Sequence, residues 1–182
     1  MARLDTLLII DLEATCWVAG KKPAGMHSEI IEIGICTFDL IEWKPKEKFQ
    51  IVVTPLMSEV SEYCINLTGW TQKALEVQGV PLHTAVQFLQ NEFESTKRVW
   101  ASWGDYDRTM FEADSRRKGI AYPFGRKHFN LKTIFAIHNK LNRELGMSAA
   151  LKLIGLPLEG IHHRGIDDAW NIGRILEWQG RF

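Results

Sequence analysis

Residues 5–14 read DTLLIIDLEA, and this stretch decides the fold: four consecutive aliphatic residues, Leu7 to Ile10, run directly into two acids, Asp11 and Glu13. A short aliphatic run bounded by polar residues is typical of a buried strand. We therefore predict a strand over residues 5–14 whose carboxyl end carries both acids.

The spacing of the two acids is the first indication of chemistry. Side chains at positions i and i+2 of a strand point to the same face, with Cα atoms about 6.6 Å apart. Such a strand end is where α/β sheets open onto ligands. Two carboxylates this close repel unless a cation lies between them, and hard oxygen ligands suit Mg²⁺ or Mn²⁺. Asp11 and Glu13 equally fit two solvated acids at a strand end, so both interpretations stay open.

The rest of the chain indicates an α/β protein with a mixed sheet, because strands come first and helices then alternate with strand. Hydrophobic patterning predicts further strands over residues 29–38, 49–53 and 99–103. Helical spacing of apolar residues predicts helices over residues 82–93, 107–118, 131–141, 149–154 and 167–178.

Residues 161–170 read IHHRGIDDAW and place a histidine five residues before an acid in two registers. One register pairs His163 with Asp168, and the other pairs His162 with Asp167. Spacing does not choose between them, and an acid near a helix start also serves as a simple cap.

The segment WGDYD, residues 103–107, follows the predicted strand at 99–103 and offers two more acids. Either Asp105 or Asp107 fits the start of the next helix as its N-cap. The segment is a weak signal when taken alone.

The order of these features resembles the DEDDh 3′-to-5′ exonucleases: Asp-x-Glu on the first strand, an Asp after a mid-chain strand, and His-x4-Asp opening the last helix. The resemblance runs from about residue 6 to residue 178. The segments at 10–16 (IDLEATC), 29–34 (EIIEIG), 67–72 (LTGWTQ) and 164–168 (RGIDD) are similar to the histone-mRNA 3′-end and small-RNA exonuclease group and its bacterial relatives.

The resemblance implies a ribonuclease H-like three-layer α/β fold, with a mixed central sheet flanked by helices, in a single domain over residues 1–182. It also resolves both ambiguities. The family's mid-chain acid follows an aromatic residue, which matches Tyr106-Asp107. The family's last acid is the second of Asp-Asp, which matches Asp168 and pairs it with His163.

The resemblance further implies two divalent cations, Mg²⁺ or Mn²⁺, held by Asp11, Glu13, Asp107 and Asp168. Asp11 would bridge the ions, and His163 would take the proton of the attacking water. The implied activity removes 5′-mononucleotides from single-stranded 3′ ends or overhangs of RNA, DNA or both. A non-catalytic nucleic-acid-binding domain and a metal-binding regulatory domain are the alternatives.

The resemblance places substrate contacts at Ala14, Thr15, Leu67, Thr68 and Tyr106. Leu67 and Thr68 match a wedge under the terminal base, although Leu67 also fits ordinary core packing. Two tryptophans, Trp17 and Trp70, lie near the expected substrate loops, where core packing and base stacking are both open.

Composition and charge limit the partners. The 182 residues are 46% hydrophobic and 24% charged, as in soluble globular proteins, and the longest apolar run is too short for a membrane span. The net charge is zero, yet residues 115–143 hold eight basic residues and no acid, a segment that fits a short polyanion or a solvated face. Three cysteines without a CxxC pair, and an N-terminus without a signal-peptide pattern, favour a reducing cytoplasm.

Overall fold

The computed structural model describes residues 3–180, which form a five-stranded sheet and seven helices. The strands are β1 (Arg3–Ala14), β2 (Ile30–Asp39), β3 (Lys44–Val52), β4 (Arg98–Ser102) and β5 (His128–Asn130). The helices are α1 (Glu62–Thr68), α2 (Gln72–Gln78), α3 (Leu82–Glu92), α4 (Tyr106–Lys118), α5 (Leu131–His138), α6 (Met147–Leu153) and α7 (Gly165–Gln179).

The sheet is mixed and has the order β3-β2-β1-β4-β5. β2 runs antiparallel to β1 and β3, whereas β4 and β5 run parallel to β1 and to each other. β1 is therefore the central strand, and its carboxyl end lies beside those of the parallel strands. This arrangement confirms the predicted mixed sheet.

Alternate residues of β1 enter separate cores on the two faces of the sheet. Leu8, Ile10 and Leu12 pack with α3 and α4 on one face. Leu7 and Ile9 pack with α5, α6 and α7 on the other. Burial on both faces explains the unbroken aliphatic run, and helices on both sides confirm the three-layer architecture.

The end of α7 that carries Asp168 lies directly on the backbone of the sheet because two glycines meet there. A Cβ atom added to Gly34 of β2 would lie 1.9 Å from the carbonyl carbon of Gly165. A Cβ atom added to Gly165 would lie 3.0 Å from the carbonyl oxygen of Asp11. The first turn of α7 therefore approaches β1 at the residue that begins the Asp-x-Glu pair.

Several predicted boundaries differ from the observed ones. β3 covers residues 44–52 rather than 49–53, because pairing with β2 extends it through the alternating charged segment KPKEK. α5 ends at His138 rather than Leu141, since Lys140 takes a left-handed backbone conformation with φ of 53°. The sequence reading missed α1, α2 and β5, which are only seven, seven and three residues long.

Candidate active site

A cavity of about 310 Å³ opens at the carboxyl end of β1. Its wall comes from β1, the end of α1, the first turns of α4 and α6, and the segment around the start of α7. The lining residues are Asp11, Leu12, Glu13, Ala14, Cys16, Leu67, Trp103, Tyr106, Asp107, Met147, His162, His163 and Asp168.

Three predicted ligands, Asp11, Glu13 and Asp168, come together in this cavity. Each offers a carboxylate oxygen, and these atoms lie within 4.8 Å of one another. The two acids of β1 share a face of the sheet, and Asp168 reaches them from the first turn of α7. Its neighbour Asp167 turns away, and its Oδ1 lies 2.6 Å from Nζ of Lys48.

The fourth predicted ligand, Asp107, stands in the first turn of α4 and is buried. Its Oδ1 accepts a hydrogen bond of 2.9 Å from the backbone N–H of Leu12, between the two acids of β1. This bond joins α4 to the central strand. Asp105 lies outside the cavity lining, with Oδ2 accepting from the amide of Asn130 at 3.1 Å.

The four carboxyl groups destabilise one another's charges. Burial, together with the charges of its acidic neighbours, raises the pKa of Asp11 well above its usual range. Burial and the same repulsion raise the pKa of Glu13 to about 9. Burial also raises the pKa of Asp107 to about 7 and shifts the pKa of Asp168 upward.

This donor set fits divalent cations. All four groups offer hard carboxylate oxygens, which Mg²⁺ and Mn²⁺ prefer, and their mutual repulsion is the kind that cations relieve. Asp11, Glu13 and Asp168 are close enough together to share an ion, and Asp107 adjoins them through the backbone of Leu12.

Both histidines of the two-register segment line the cavity, with their rings stacked at a centroid distance of 4.0 Å. Nδ1 of His162 lies 2.9 Å from Oδ2 of Asp168 and donates to it, since a carboxylate accepts. His163 instead donates its backbone N–H to Asp168 at 3.0 Å, and its Nδ1 lies 3.9 Å from Oε1 of Glu13. Burial, then the neighbouring His162, lowers the pKa of His163. The assignment of the base to His163 stays a prediction.

The predicted substrate residues separate into two groups. Ala14, Leu67 and Tyr106 line the cavity, and the Tyr106 side chain is exposed. Thr15 and Thr68 are buried and are not part of the lining.

The polar groups of the two buried threonines are used within the scaffold. The Thr15 backbone N–H donates to the carbonyl of Glu29, and its hydroxyl accepts from the N–H of the same residue, each at 2.9 Å. The Thr68 hydroxyl donates to the carbonyl of Cys64 at 2.9 Å and accepts from the backbone N–H of Trp70 at 3.2 Å. The two hydroxyls and the Thr15 N–H are therefore bonded within the protein, and nucleotide contact by Thr15 and Thr68 stays a prediction.

Sequence reasoning missed a buried polar cluster behind the acids. Glu32 is fully buried in β2, directly opposite Glu13 in the strand register. Its carboxylate accepts from Nε1 of Trp70 at 2.5 Å, and Arg164 lies over the face of the same indole. Trp70 is therefore buried in the scaffold, and base stacking by this residue has no support. The available signal was one acid, Glu32, inside the otherwise apolar run IIEIGI at residues 30–35.

The basic segment at residues 115–143 is partly structural. Nζ of Lys118 lies 2.8 Å from Glu29 and 3.1 Å from Asp114, in a largely buried cluster. Arg117 also pairs with Asp114, at 3.1 Å. Two of the eight cations therefore neutralise internal acids and are not free to bind a polyanion.

Helices on both faces of a mixed sheet, with acids gathered at the carboxyl end of the central strand, define the ribonuclease H-like class of α/β nuclease folds. The family model described as Exonuclease (RNase_T) matches residues 8–176. The chain therefore belongs to this exonuclease family.

Known proteins similar to this chain support the same assignment. The 3′-5′ exonuclease Snipper of Drosophila melanogaster is 30% identical over 191 residues, covering 93% of this chain and 67% of that protein. The 3′-5′ exoribonuclease 1 of Rattus norvegicus is 29% identical over 180 residues, covering 94% of this chain. The chain spans about half, 52%, of the length of the rat protein.

Solved structures give the same picture. The nuclease domain of 3′hExo, a DEDDh family member bound to rAMP, superposes with a TM-score of 0.82 at 26% identity, covering 96% of this chain and 90% of that chain. Product-bound exonuclease I matches with a TM-score of 0.71 at 13% identity, covering 95% of this chain and 42% of that chain, a likeness of fold alone. The predicted DEDDh kinship and fold class are confirmed. Among residues 3–180, no helix combines the length and apolarity that a bilayer crossing requires.

Proposed function

We propose that this protein is a 3′-to-5′ exonuclease that hydrolyses phosphodiester bonds at single-stranded 3′ ends or overhangs of RNA, DNA or both, and releases 5′-mononucleotides. The observation that carries the proposal is the convergence of the Asp11, Glu13 and Asp168 oxygens within 4.8 Å, with Asp107 joined to the same strand. Membership of the exonuclease family supports the same chemistry.

The proposal includes two divalent cations, Mg²⁺ or Mn²⁺, held by these four acids. When bound, such ions supply Lewis-acid stabilisation of the charge that develops around phosphorus and on the leaving 3′-oxygen. The raised pKa values support this assignment, because carboxylates that repel one another are stabilised in the charged form by cations.

In the proposed reaction His163 accepts the proton of the water that attacks phosphorus. Its lowered pKa keeps the imidazole neutral near pH 7, the form that a general base requires. The Asp168 carboxylate accepts a hydrogen bond from the backbone N–H of His163 and thereby orients the loop that carries the imidazole ring. The leaving 3′-oxygen stays with the shortened strand, and the released mononucleotide keeps the 5′-phosphate.

Leu67 and Tyr106, which both line the cavity, are proposed to hold the terminal nucleotide. Leu67 lies at the end of α1, and Tyr106 opens α4, beside Asp107. An aromatic ring stacked on a base contributes about 1–3 kcal/mol without regard to sequence. Such contacts fit an enzyme that shortens strands of any sequence.

We also propose that the chain is one exonuclease domain working in a reducing cytoplasm. The shared sheet beneath both main cores supports the first statement. The free thiols of Cys16, Cys36 and Cys64 fit the second.

The test is a product analysis with 5′-labelled RNA and DNA strands of one sequence, each single-stranded and as a duplex with a 3′ overhang. Reactions contain Mg²⁺, Mn²⁺ or EDTA. We expect a ladder that shortens from the 3′ end, 5′-mononucleotides as products, and no reaction in EDTA. The RNA and DNA arms measure sugar preference directly.

Asp11→Asn and Asp168→Asn should abolish cleavage, whereas Asp167→Asn serves as the matched control because Asp167 bonds Lys48 instead. Cleavage by the Asp11→Asn protein would refute the proposed site. A folded wild-type protein that binds the strands with both ions present but never shortens them would instead be the non-catalytic binding domain.

A further inference from the structure

Arg164 has an unusual environment beside the cavity. It follows His163, which lines the cavity, and precedes Gly165, the first residue of α7. Its guanidinium carbon lies 4.5 Å from the centre of the Trp70 ring, and Nε lies 3.4 Å from Oε2 of Glu32. The side chain thus reaches from the start of α7 to the segment that follows α1.

Glu32 does not depend on Arg164 for its hydrogen bonds. The Glu32 carboxylate already accepts from Nε1 of Trp70 at 2.5 Å, from Nε2 of Gln50 at 2.7 Å and from the backbone N–H of Ile166 at 3.2 Å. Three donors on a buried carboxylate satisfy most of its acceptor capacity. The nearby arginine supplies charge to this group rather than a needed donor.

The N–H donors of the Arg164 side chain make no hydrogen bond within residues 3–180. Nε is buried and is not aligned for a hydrogen bond with any group in residues 3–180. No hydrogen bond from the other guanidinium nitrogens is found within the same residues, although the side chain is only 28% exposed. A guanidinium has five N–H donors, and leaving them unpaired in a partly buried site is costly. The partly exposed nitrogens can therefore donate to an acceptor that a ligand supplies.

The position of Arg164 defines what that acceptor would be. Trp70 lies two residues beyond the end of α1, the helix that carries Leu67 into the cavity. The guanidinium therefore lies near the segment that follows the proposed wedge and near Glu32, which pairs with Glu13 in the strand register. The Trp70 ring under the guanidinium restricts the positions of its fork of donors, which matches two oxygens of a phosphate.

We propose that Arg164 binds the non-bridging oxygens of a backbone phosphate of the substrate strand, upstream of the scissile bond, and that Trp70 and Glu32 hold its guanidinium for this contact. The proposal rests on the exonuclease activity proposed above. It adds a phosphodiester-binding subsite outside the set of acids and histidines.

The test combines Arg164→Gln with strands that carry one uncharged methylphosphonate at successive upstream linkages. Arg164→Gln should lower kcat/KM about tenfold or more on the natural strand, as expected for a charge-assisted contact. One methylphosphonate position should weaken wild-type cleavage but cost the variant nothing further. The slope of log(kcat/KM) against log salt concentration should also fall by about 0.7 in the variant.

Two further proteins separate phosphate binding from a structural role. If Arg164 only neutralises Glu32, Arg164→Lys should keep wild-type kcat/KM because it keeps the charge; we expect it to lose most of what Arg164→Gln loses, because lysine lacks the planar fork. Lys46→Gln is the control for loss of a cation. Lys46 lies on β3, at the end of the sheet opposite the cavity, and pairs with Glu42. This variant should leave the rate and the salt slope unchanged.

The subsite would be overturned if the losses from Arg164→Gln and from the methylphosphonate simply added at every position, or if Arg164→Lys kept wild-type kcat/KM. Should Arg164→Gln fail to give a cooperative thermal melt, Arg164→Lys takes its place, because it keeps the charge but loses the planar fork and the bidentate contact. A wild-type protein that shortens no strand would refute the exonuclease proposal instead, so the two failures are distinguishable.

Discussion

At the residue scale, the two adjacent histidines give the sharpest contrast in the site. His163 has a left-handed backbone, with φ of 65°, which turns its ring towards Glu13. The ring of His162 is held by Asp168. We expect His163→Asn to lower kcat by about 10²–10⁴-fold, the usual range for loss of a general base, with little change in KM.

His162→Asn is the matched control, since an asparagine amide can still donate to Asp168. We expect a loss of less than tenfold, about the effect of one weakened hydrogen bond. Single-turnover rates of both variants across pH 6 to 9 provide the measurement. A larger loss in His162→Asn than in His163→Asn would transfer the role of base to His162.

The site residues could be predicted from sequence only as far as strand geometry and motif order reach. Period-two alternation places Asp11 and Glu13 on one face, and burial of the preceding aliphatic run places them at a strand end. Spacing alone cannot choose between Asp167 and Asp168, because both lie in the first turn of α7. Their side chains differ in direction by about 100° around the helix, and only the packing of α7 decides which one faces the cavity. The pair of buried Glu32 and partly exposed Arg164 was missed because it forms between residues 132 positions apart in the chain.

At the scale of elements, the contact between α7 and the sheet sets the position of Asp168. Gly165→Ala places a Cβ atom 3.0 Å from both the carbonyl oxygen of Asp11 and the backbone nitrogen of Gly34. Backbone atoms cannot rotate away, so α7 has to move outward. We expect a loss of about 1–3 kcal/mol in stability, the usual cost of overpacking, and a larger proportional loss of activity.

Thermal melts and kcat on the same preparations measure both effects. Gly146→Ser is the control, because an added Cβ there meets no atom within 4 Å and serine is favoured at the N-cap of α6. Wild-type activity in Gly165→Ala would show that the close approach of α7 is not needed for catalysis.

The short helix α1 gives a second prediction at this scale. Leu67 is half-buried and lines the cavity, so it is not sealed in the core. We expect Leu67→Ala to slow cleavage at least fivefold more on strands whose 3′ end is base-paired than on unstructured strands, because a wedge matters most where stacking must be broken. Equal losses on both substrates, measured side by side, would indicate ordinary packing.

Long elements were predictable from their hydrophobic period, whereas α6 was the one predicted among the three seven-residue helices of the described residues. β1, β2, α3 and α7 have enough residues to display their hydrophobic period. α1 and α2 have only two turns each, and their clearest signals are local: Ser61 and Thr71 accept from the N–H groups of Cys64 and Ala74, and a glycine follows each helix. β5 is three residues long and exists because β4 offers it a parallel partner.

At the scale of the whole molecule, the net charge is zero, but acidic side chains are concentrated in one cavity. Four carboxyl groups share one cavity, and burial dominates the pKa shift of each. Arg164 offsets only part of the rise in the pKa of Glu13, and Lys118 and Arg117 pair with acids of their own. The metal-free protein therefore stores electrostatic repulsion in the region that the proposed activity requires.

Burial, together with this repulsion, predicts how the stability of the metal-free protein depends on pH. The pKa of Glu13 rises from 4.5 when unfolded to about 9 in the folded protein, and that of Asp107 from 3.8 to about 7. Between these values the folded state holds protons that the unfolded state has released, so rising pH favours unfolding. The contribution of these groups is complete below pH 4 and is lost progressively up to about pH 9.

Asp11→Asn isolates this effect from the other titrating groups, because it removes one of the repelling charges and changes little else. In EDTA we expect the variant to melt about 3–6 °C above the wild type at pH 8.5, as about 1–2 kcal/mol of relieved repulsion would give, and to lose that advantage at pH 4.5. Mn²⁺ should raise the melting temperature of the wild type more than that of the variant, since the ion binds the folded acids. Calorimetry at both pH values, with Asp105→Asn as the control for an exposed acid outside the cavity, provides the measurement. An advantage of the same size at pH 4.5 and pH 8.5 would mean that Asp11 is not under charge repulsion in the folded protein, and the electrostatic case for cations in this cavity would fail.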